Sequence, residues 1–270
     1  MPAHSIVPVM SARRDVSVAR NGAVTVIRLE RPEALNALSG ALADELASTF
    51  KEVARDADTW VVVLAAAGDR AFCVGADLKE RATLSLEDFA RNRTQIDGLF
   101  SALRAVPQPT IASVFGHALG GGFELALCCD LVVAAEDTQL ALPETRVGLV
   151  PGGGGTQLLA RRIGLARAKE LIFTGRRMGA AEASEVGVAT RVVPRAELER
   201  ATSELAAEIC RSSPFAVREA KAAVDGGLGL PVDLGLALED RAWRRTIATQ
   251  DRAEGISAFV EKRPPRWRNG

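Results

Sequence analysis

Tyrosine is absent from this 270-residue chain, and histidine occurs only twice, as His4 and His117. The four cysteines, Cys73, Cys128, Cys129 and Cys210, show no Cys-x-x-Cys spacing, so no zinc constellation is expected. Their scatter gives no disulfide framework either and points to a reducing compartment. Charges interrupt every hydrophobic run well short of the roughly 18 residues of a membrane span. Aromatic residues make up only 4% of the chain, so the core has to be built mainly from alanine, leucine and valine. Net charge is missing too, because 34 lysines and arginines face 34 aspartates and glutamates. That balance excludes a polybasic nucleic-acid coat, and an apolar fraction of 47% excludes bulk disorder. The leader carries Arg13 and Arg14 without the apolar stretch of a secretory signal, and a cytoplasmic location is expected.

What is present reads as α/β. Val16 to Arg20 and Ala23 to Arg28 alternate as strands around Asn21-Gly22, a strong hairpin signal because both residues tolerate positive φ. Ser39 is placed to cap a helix over residues 40–55, with Leu42, Leu46, Phe50 and Val53 at helical spacing. Residues 60–64, 111–115 and 131–135 read as buried strands, and 121–129 as a short apolar helix. From residue 155 the pattern turns helical, over 156–163, 166–173, 180–186, 196–210, 214–225 and 231–250, with a strand at 188–193. The expected organisation is a flexible leader at 1–15, a core at 16–200 and a helical region at 201–270.

Four short regions stand out chemically. In Ala71-Phe-Cys-Val-Gly-Ala-Asp-Leu-Lys79, a glycine beside alanine lets backbone approach a ligand and expose N–H groups, or makes a tight turn with Asp77 as cap. Gly120-Gly-Gly122 opens an apolar helix, where free N–H groups at the positive end suit an oxyanion. Glu124 follows among Phe, Leu, Ala and Cys, either catalytic or satisfying first-turn N–H groups. Glu144 is a second carboxylate among aliphatic residues. It is available for paired acid–base chemistry with Glu124 or for an ion pair with Arg146. Gly152-Gly-Gly-Gly155-Thr156 lacks the lysine of a phosphate-binding Walker loop. His117 reads as a packed structural residue, and Phe259, Lys262, Arg263, Arg266 and Arg268 form an apolar and basic tail.

Taken in order, these strings resemble the enoyl-CoA hydratase/isomerase, or crotonase, family. The resemblance rests on Arg31-Pro-Glu-Ala-Leu-Asn-Ala-Leu38, Ala71 to Lys79, Ala118 to Ala126, Pro143-Glu144, Gly148 to Gln157 and Glu254 to Arg263. It covers about residues 16–265. It implies a crotonase-like spiral of ββα repeats, a helical C-terminal trimerisation region and a homotrimer or dimer of trimers. It also implies an acyl-CoA thioester substrate, with coenzyme A as part of that substrate and no separate cofactor or metal.

By the same resemblance Ala76 and Gly121 supply the oxyanion-hole N–H groups. Glu124 activates water for C3, and Glu144 supplies the proton to C2. Retention of both glutamates favours reversible hydration of a trans-2-enoyl-CoA over isomerisation or another acyl-CoA reaction. Arg31, Ala34, Leu35, Ala76, Asp77, Leu78, Lys79, Gly120 and Gly121 are the expected CoA-binding positions. Phe259 and Lys262 complete such a site, often from a neighbouring subunit. Leu142 stands where several fatty-acyl hydratases carry glutamine, and Phe123 is placed to narrow an acyl pocket.

Cys73 to Arg81, Ala168 to Gly175 and Glu261 to Pro265 resemble the methylglutaconyl-CoA hydratase branch, which includes a leucine-degradation enzyme and RNA-binding relatives. The RNA-binding helix of those relatives is lysine-rich. Here residues 46–58 carry Lys51 and Arg55 against Glu52, Asp56 and Asp58, so nucleic-acid binding is not expected.

Overall fold

A hairpin opens the described part of the chain. In the computed structural model, which describes residues 15–270, the expected leader lies outside the described residues except for Asp15. Strand β1 (Val16–Asn21) pairs antiparallel with β2 (Val24–Leu29). Asn21 closes the first strand, and Gly22, at φ +58°, takes the first turn position with Ala23 as the second. The turn thus sits one residue later than the Asn-Gly signal suggests, because glycine at the first central position suits a primed turn.

Ser39 caps α1 (Gly40–Ala54) by accepting the Leu42 N–H at 3.2 Å, and Leu42, Leu46, Phe50 and Val53 form its buried stripe. The chain then winds in repeated passes. Strands β3 (Val61–Ala66) and β4 (Ala71–Cys73) precede helices α2 (Leu78–Arg81) and α3 (Leu86–Arg104). Strands β5 (Thr110–Val114) and β6 (His117–Leu119) precede α4 (Gly121–Cys128). Strands β7 (Leu131–Ala135) and β8 (Gln139–Ala141) precede α5 (Gly155–Ile163) and α6 (Leu165–Thr174). Each pass places one strand in a six-stranded sheet, ordered β1-β2-β3-β5-β7 and then β10 (Arg191–Val193). It places the other in a four-stranded sheet, β4-β6-β8 and then β9 (Met178–Gly179). Apart from the β1–β2 and β8–β9 pairs, neighbouring strands are parallel. This is the expected ββα spiral, and its core of alanine, valine and leucine is continuous through both sheets.

Helix α3 has no counterpart among the elements expected from the sequence, whereas the helix expected over 196–210 is present as Leu198–Ile209. The first half of α3 is charged, and its buried set of Asn92, Ile96, Leu99, Phe100 and Leu103 faces α1. After α7 (Ala180–Glu185), α8 (Leu198–Ile209) packs on β3, β5 and β7. A division at 200/201 therefore falls inside a helix of the core. Helix α9 (Pro214–Gly227) packs along α10 (Val232–Ile247). The single helix expected over 231–250 ends at Ile247, because Thr249 caps a separate α11 (Gln250–Glu261). The tail folds back on α11, where Arg263 pairs with Glu254 at 2.6 Å and Glu261 at 2.7 Å. Across α9, α10 and their connection, Val224, Leu228, Leu230, Leu234, Leu236 and Trp243 remain exposed. No described helix is long and apolar enough to cross a membrane.

Helix α4 lies against β4 at backbone distance. A Cβ on Gly122 would sit 1.9 Å from the Cys73 carbonyl oxygen, so no side chain fits there. Gly98 on α3 meets nothing within 4 Å. Gly122→Ala is expected to lower stability by roughly 1–3 kcal/mol through overpacking, whereas Gly98→Ala gains helix propensity and is neutral or stabilising. Urea midpoints of both variants check this pair.

Candidate active site

The ends of β4, β6 and β8 release three loops along one edge of the smaller sheet. Gly75-Ala76 follows β4, Gly120-Gly121 follows β6, and Glu144 follows β8. Gly75 has φ +83°, and a Cβ there would lie 2.7 Å from the Leu119 carbonyl oxygen and 2.9 Å from the Gly121 nitrogen. Backbone therefore meets backbone at this point. Leu38 uses its N–H on the Gly75 carbonyl and its carbonyl on the Asp77 N–H, a parallel bridge that leaves the Ala76 N–H on the other side. Gly121 opens α4, so its N–H has no intrahelical acceptor. Among the described residues neither the Ala76 nor the Gly121 N–H finds an acceptor, and two neighbouring free donors suit a developing oxyanion.

Glu124 lies in the first turn of α4 and is 3% exposed. Its Oε1 accepts the Gly153 N–H at 2.6 Å and the Gly155 N–H at 2.8 Å. It therefore satisfies the start of α5 and not the first turn of its own helix. Burial pushes its pKa up, and the loop N–H groups and the charge of Arg93 oppose that rise. A Cβ on Gly155 would sit 3.0 Å from Glu124 Oε1 and 2.9 Å from Leu142, which places that leucine beside the carboxylate. Phe123 is fully buried in the core.

Glu144 begins a single 3₁₀ turn after β8. Its Oε2 is buried without a partner among the described residues, and a Cβ on Gly120 would lie 2.9 Å from its Oε1. Burial first, then the charge of Glu124, pushes its carboxyl up to about 7. Arg146 makes no pair with it and donates instead to the Thr174 carbonyl at 2.7 Å. Two carboxyls thus share one electrostatic environment, one anchored by backbone donors and the other under-satisfied.

The segment 31–38 is stitched to 71–77. Val74 N–H donates to Leu35, and Asn36, in the left-handed region at φ 55°, donates its side-chain amide to Ala67 and Ala71. This brings Arg31, Ala34 and Leu35 beside Ala76, Asp77, Leu78 and Lys79. Arg31 is engaged by Asp77 at 3.3 Å and Asp15 at 3.5 Å, while Asp77 also caps α2. Lys79 is exposed, and its side chain makes no hydrogen bond or ion pair among the described residues. Phe259 is 86% exposed and Lys262 makes no side-chain hydrogen bond among the described residues, so no hydrogen bond or ion pair ties either to this cluster within the single chain. His117 lies on β6 with Nδ1 buried and unpartnered among the described residues.

Sequence reasoning missed the role of the glycine loop 152–155 and of Arg93 and Arg104, which reach it from α3. Only the helical spacing of Ile96, Leu99 and Leu103 could have placed those arginines on a helix. A cavity of about 750 Å³ opens on the six-stranded sheet beside α8, and neither glutamate lines it. No group of three His, Cys, Asp or Glu among the described residues is placed to hold a metal ion.

Comparison with known proteins gives a consistent result. The model of the enoyl-CoA hydratase/isomerase family matches residues 19–270. The Bacillus subtilis protein YngF, whose name is that of the family, is 45% identical over 244 residues, covering 90% of this chain and 94% of its own. The human mitochondrial enoyl-CoA hydratase domain-containing protein 2 is 43% identical over 249 residues, covering 90% of this chain and 85% of its own. The crystal structure of an enoyl-CoA hydratase from Bacillus anthracis superposes with a TM-score of 0.93 at 44% identity, covering 95% of this chain and all of that one.

The Glu144 carboxyl is held up at about 7 from an ordinary 4.5, so the fold favours its protonated form. Its contribution to stability is present below the unfolded value and lost as pH rises through the folded one. Glu144→Gln is expected to flatten that fall and to be the more stable protein above pH 7. Urea midpoints of both proteins at acidic and alkaline pH measure the effect, and an equal fall in the variant would remove Glu144 as its source.

Proposed function

Because the chain belongs to the enoyl-CoA hydratase/isomerase family, we propose that it adds water reversibly to a trans-2-enoyl-CoA, giving a 3-hydroxyacyl-CoA. The observation that carries this reading is the pairing of Glu124 and Glu144 beside two N–H groups free of acceptors. The Ala76 and Gly121 N–H groups hold the thioester oxygen, and they strengthen their hold as it gains enolate charge. Glu124 keeps Oε1 on the glycine loop and uses Oε2 to orient and deprotonate water for attack at C3. Glu144, near half-protonated at neutral pH, delivers the proton to C2. The water oxygen ends on C3 and a proton on C2, the proton taken by Glu124 leaves to solvent while Glu144 takes one up, and the reverse path is dehydration. Coenzyme A enters as part of the substrate, so the reaction draws on no resident cofactor.

Arg31, Ala34, Leu35, Gly120 and the run Ala76 to Lys79 form the CoA-binding side of this reading, with Lys79 as its free cation. Phe259 and Lys262 reach the site from a neighbouring subunit of a homotrimer or dimer of trimers, whose contacts cover the apolar face of α10. The bacterial relatives favour a cytoplasmic enzyme, while other relatives carry mitochondrial names.

Crotonyl-CoA is expected to lose its conjugated-thioester absorbance on addition of the protein, with 3-hydroxybutyryl-CoA as product. The same assay with 3-methylglutaconyl-CoA decides between straight-chain and branched substrates. Glu124→Gln should lower hydration at least roughly 10²-fold while CoA binding persists. Binding without hydration of either substrate by the wild type would return the chain to isomerisation or another thioester reaction. Trp243→Asp is expected to shift the assembly toward monomers in light scattering.

A further inference from the structure

The glycine loop that holds Glu124 is itself held from behind by two arginines that the chemistry above leaves unused. Arg93 Nη2 donates to the Gly152 carbonyl at 2.8 Å, and Arg104 Nη1 donates to the Gly153 carbonyl at 3.2 Å. A trans peptide points its C=O and the following N–H in opposite directions. The Gly152 carbonyl therefore shares its plane with the Gly153 N–H, which donates to Glu124 Oε1 at 2.6 Å. Guanidinium, peptide and carboxylate stand in one hydrogen-bonded chain.

The next peptide repeats the arrangement. Its carbonyl, that of Gly153, takes Arg104 and the Cys128 thiol, whose sulfur lies 3.7 Å away. Burial pushes that thiol up to about 11, so it remains a donor at neutral pH. The N–H of this peptide belongs to Gly154 and also favours the ionised form of Glu124. Chains of this kind polarise each member, so a cation at one end strengthens the N–H donor at the other.

The loop is shaped for this contact. A Cβ on Gly152 would sit 2.7 Å from Arg93 Nη1, and one on Gly153 would sit 2.3 Å from the Phe100 ring. Asp97 orients Arg93 at 2.6 Å. Both arginines approach from the surface, so their removal leaves the core intact. The titratable and charged groups facing Glu124 are Arg93 from α3, Glu144 from beyond β8, and Cys128 on its own helix. Arg104 bears on Glu124 through the Gly153 carbonyl that it holds.

We propose that Arg93 and Arg104 are positioning residues for Glu124, aiming its carboxylate and keeping it ionised through the Gly152–Gly153 and Gly153–Gly154 peptides. The proposal rests on Glu124 as the base of the hydration described above.

The test uses Arg93→Met, Arg104→Met, the double variant and Arg93→Lys, each checked for native circular dichroism. In the double variant kcat with crotonyl-CoA is expected to fall roughly tenfold or more, a part of the general-base contribution, with KM nearly unchanged. The acidic limb of the kcat/KM profile should move to higher pH, because a base that protonates more readily is lost sooner on acidification. Arg93→Lys should recover part of both effects. Independently of activity, the infrared carboxyl band that disappears in Glu124→Gln should titrate at higher pH in the double variant. An unmoved band and an unmoved acidic limb in a folded double variant would overturn the proposal. A wild type that hydrates nothing would instead overturn the assignment of Glu124 as base, and the infrared titration would still decide the effect of the arginines.

Discussion

The site depends on one contact in which two stretches of backbone touch without side chains between them. Gly75 stands against the Leu119 carbonyl and the Gly121 nitrogen, and Gly122 stands against the Cys73 carbonyl. A methyl group at either glycine would force the loop after β4 away from the start of α4. The Ala76 and Gly121 N–H groups neighbour each other only because that space is closed. Gly121 and Gly122 carry an entropic cost in the helix, on the order of 1 kcal/mol each, and the packing that α4 gains against β4 offsets it.

Around that contact the two glutamates illustrate how environment separates groups of the same chemistry. Both are pushed toward their protonated forms by burial. Glu124 meets that push with loop N–H donors and a nearby guanidinium, while Glu144 keeps an unpartnered oxygen and feels the charge of its neighbour. In the hydration proposed above, that difference would let one act as base while the other retains a proton at the same pH. The fold sustains this imbalance because both residues are fixed by elements of the smaller sheet and its following helix.

The sequence made the chemistry of single segments legible more readily than their meeting. A glutamate inside Phe123-Glu124-Leu125-Ala126 is conspicuous wherever it lies, and three consecutive glycines before it mark bare backbone. The α1 helix was readable from Ser39 and its apolar spacing. The strands of the smaller sheet were not, because two or three residues are too few to show alternation, so the spiral came from family resemblance alone. Pairings across long stretches of chain were equally hidden. Nothing near Gly152 to Gly155 reveals a carboxylate 29 residues upstream of Gly153, and nothing near Arg31 reveals Asp77, 46 residues away. The charged opening turns of α3 concealed both the helix and the arginines that brace the loop.

The parallel alignment of β4, β6 and β8 has a modular consequence. Each strand delivers one chemical group just past its end: a donor from the first, a donor from the second, an acid from the third. Adjacent strands are about 4.8 Å apart, so the sheet sets the spacing at which the three loops begin. Under the hydration proposed above, a substitution at the third position would alter the acid while leaving the two donors in place, since it lies on a separate pass of the chain. On that reading the donors and the acid are separable parts, and a change in the acid leaves the backbone that carries the donors as it was.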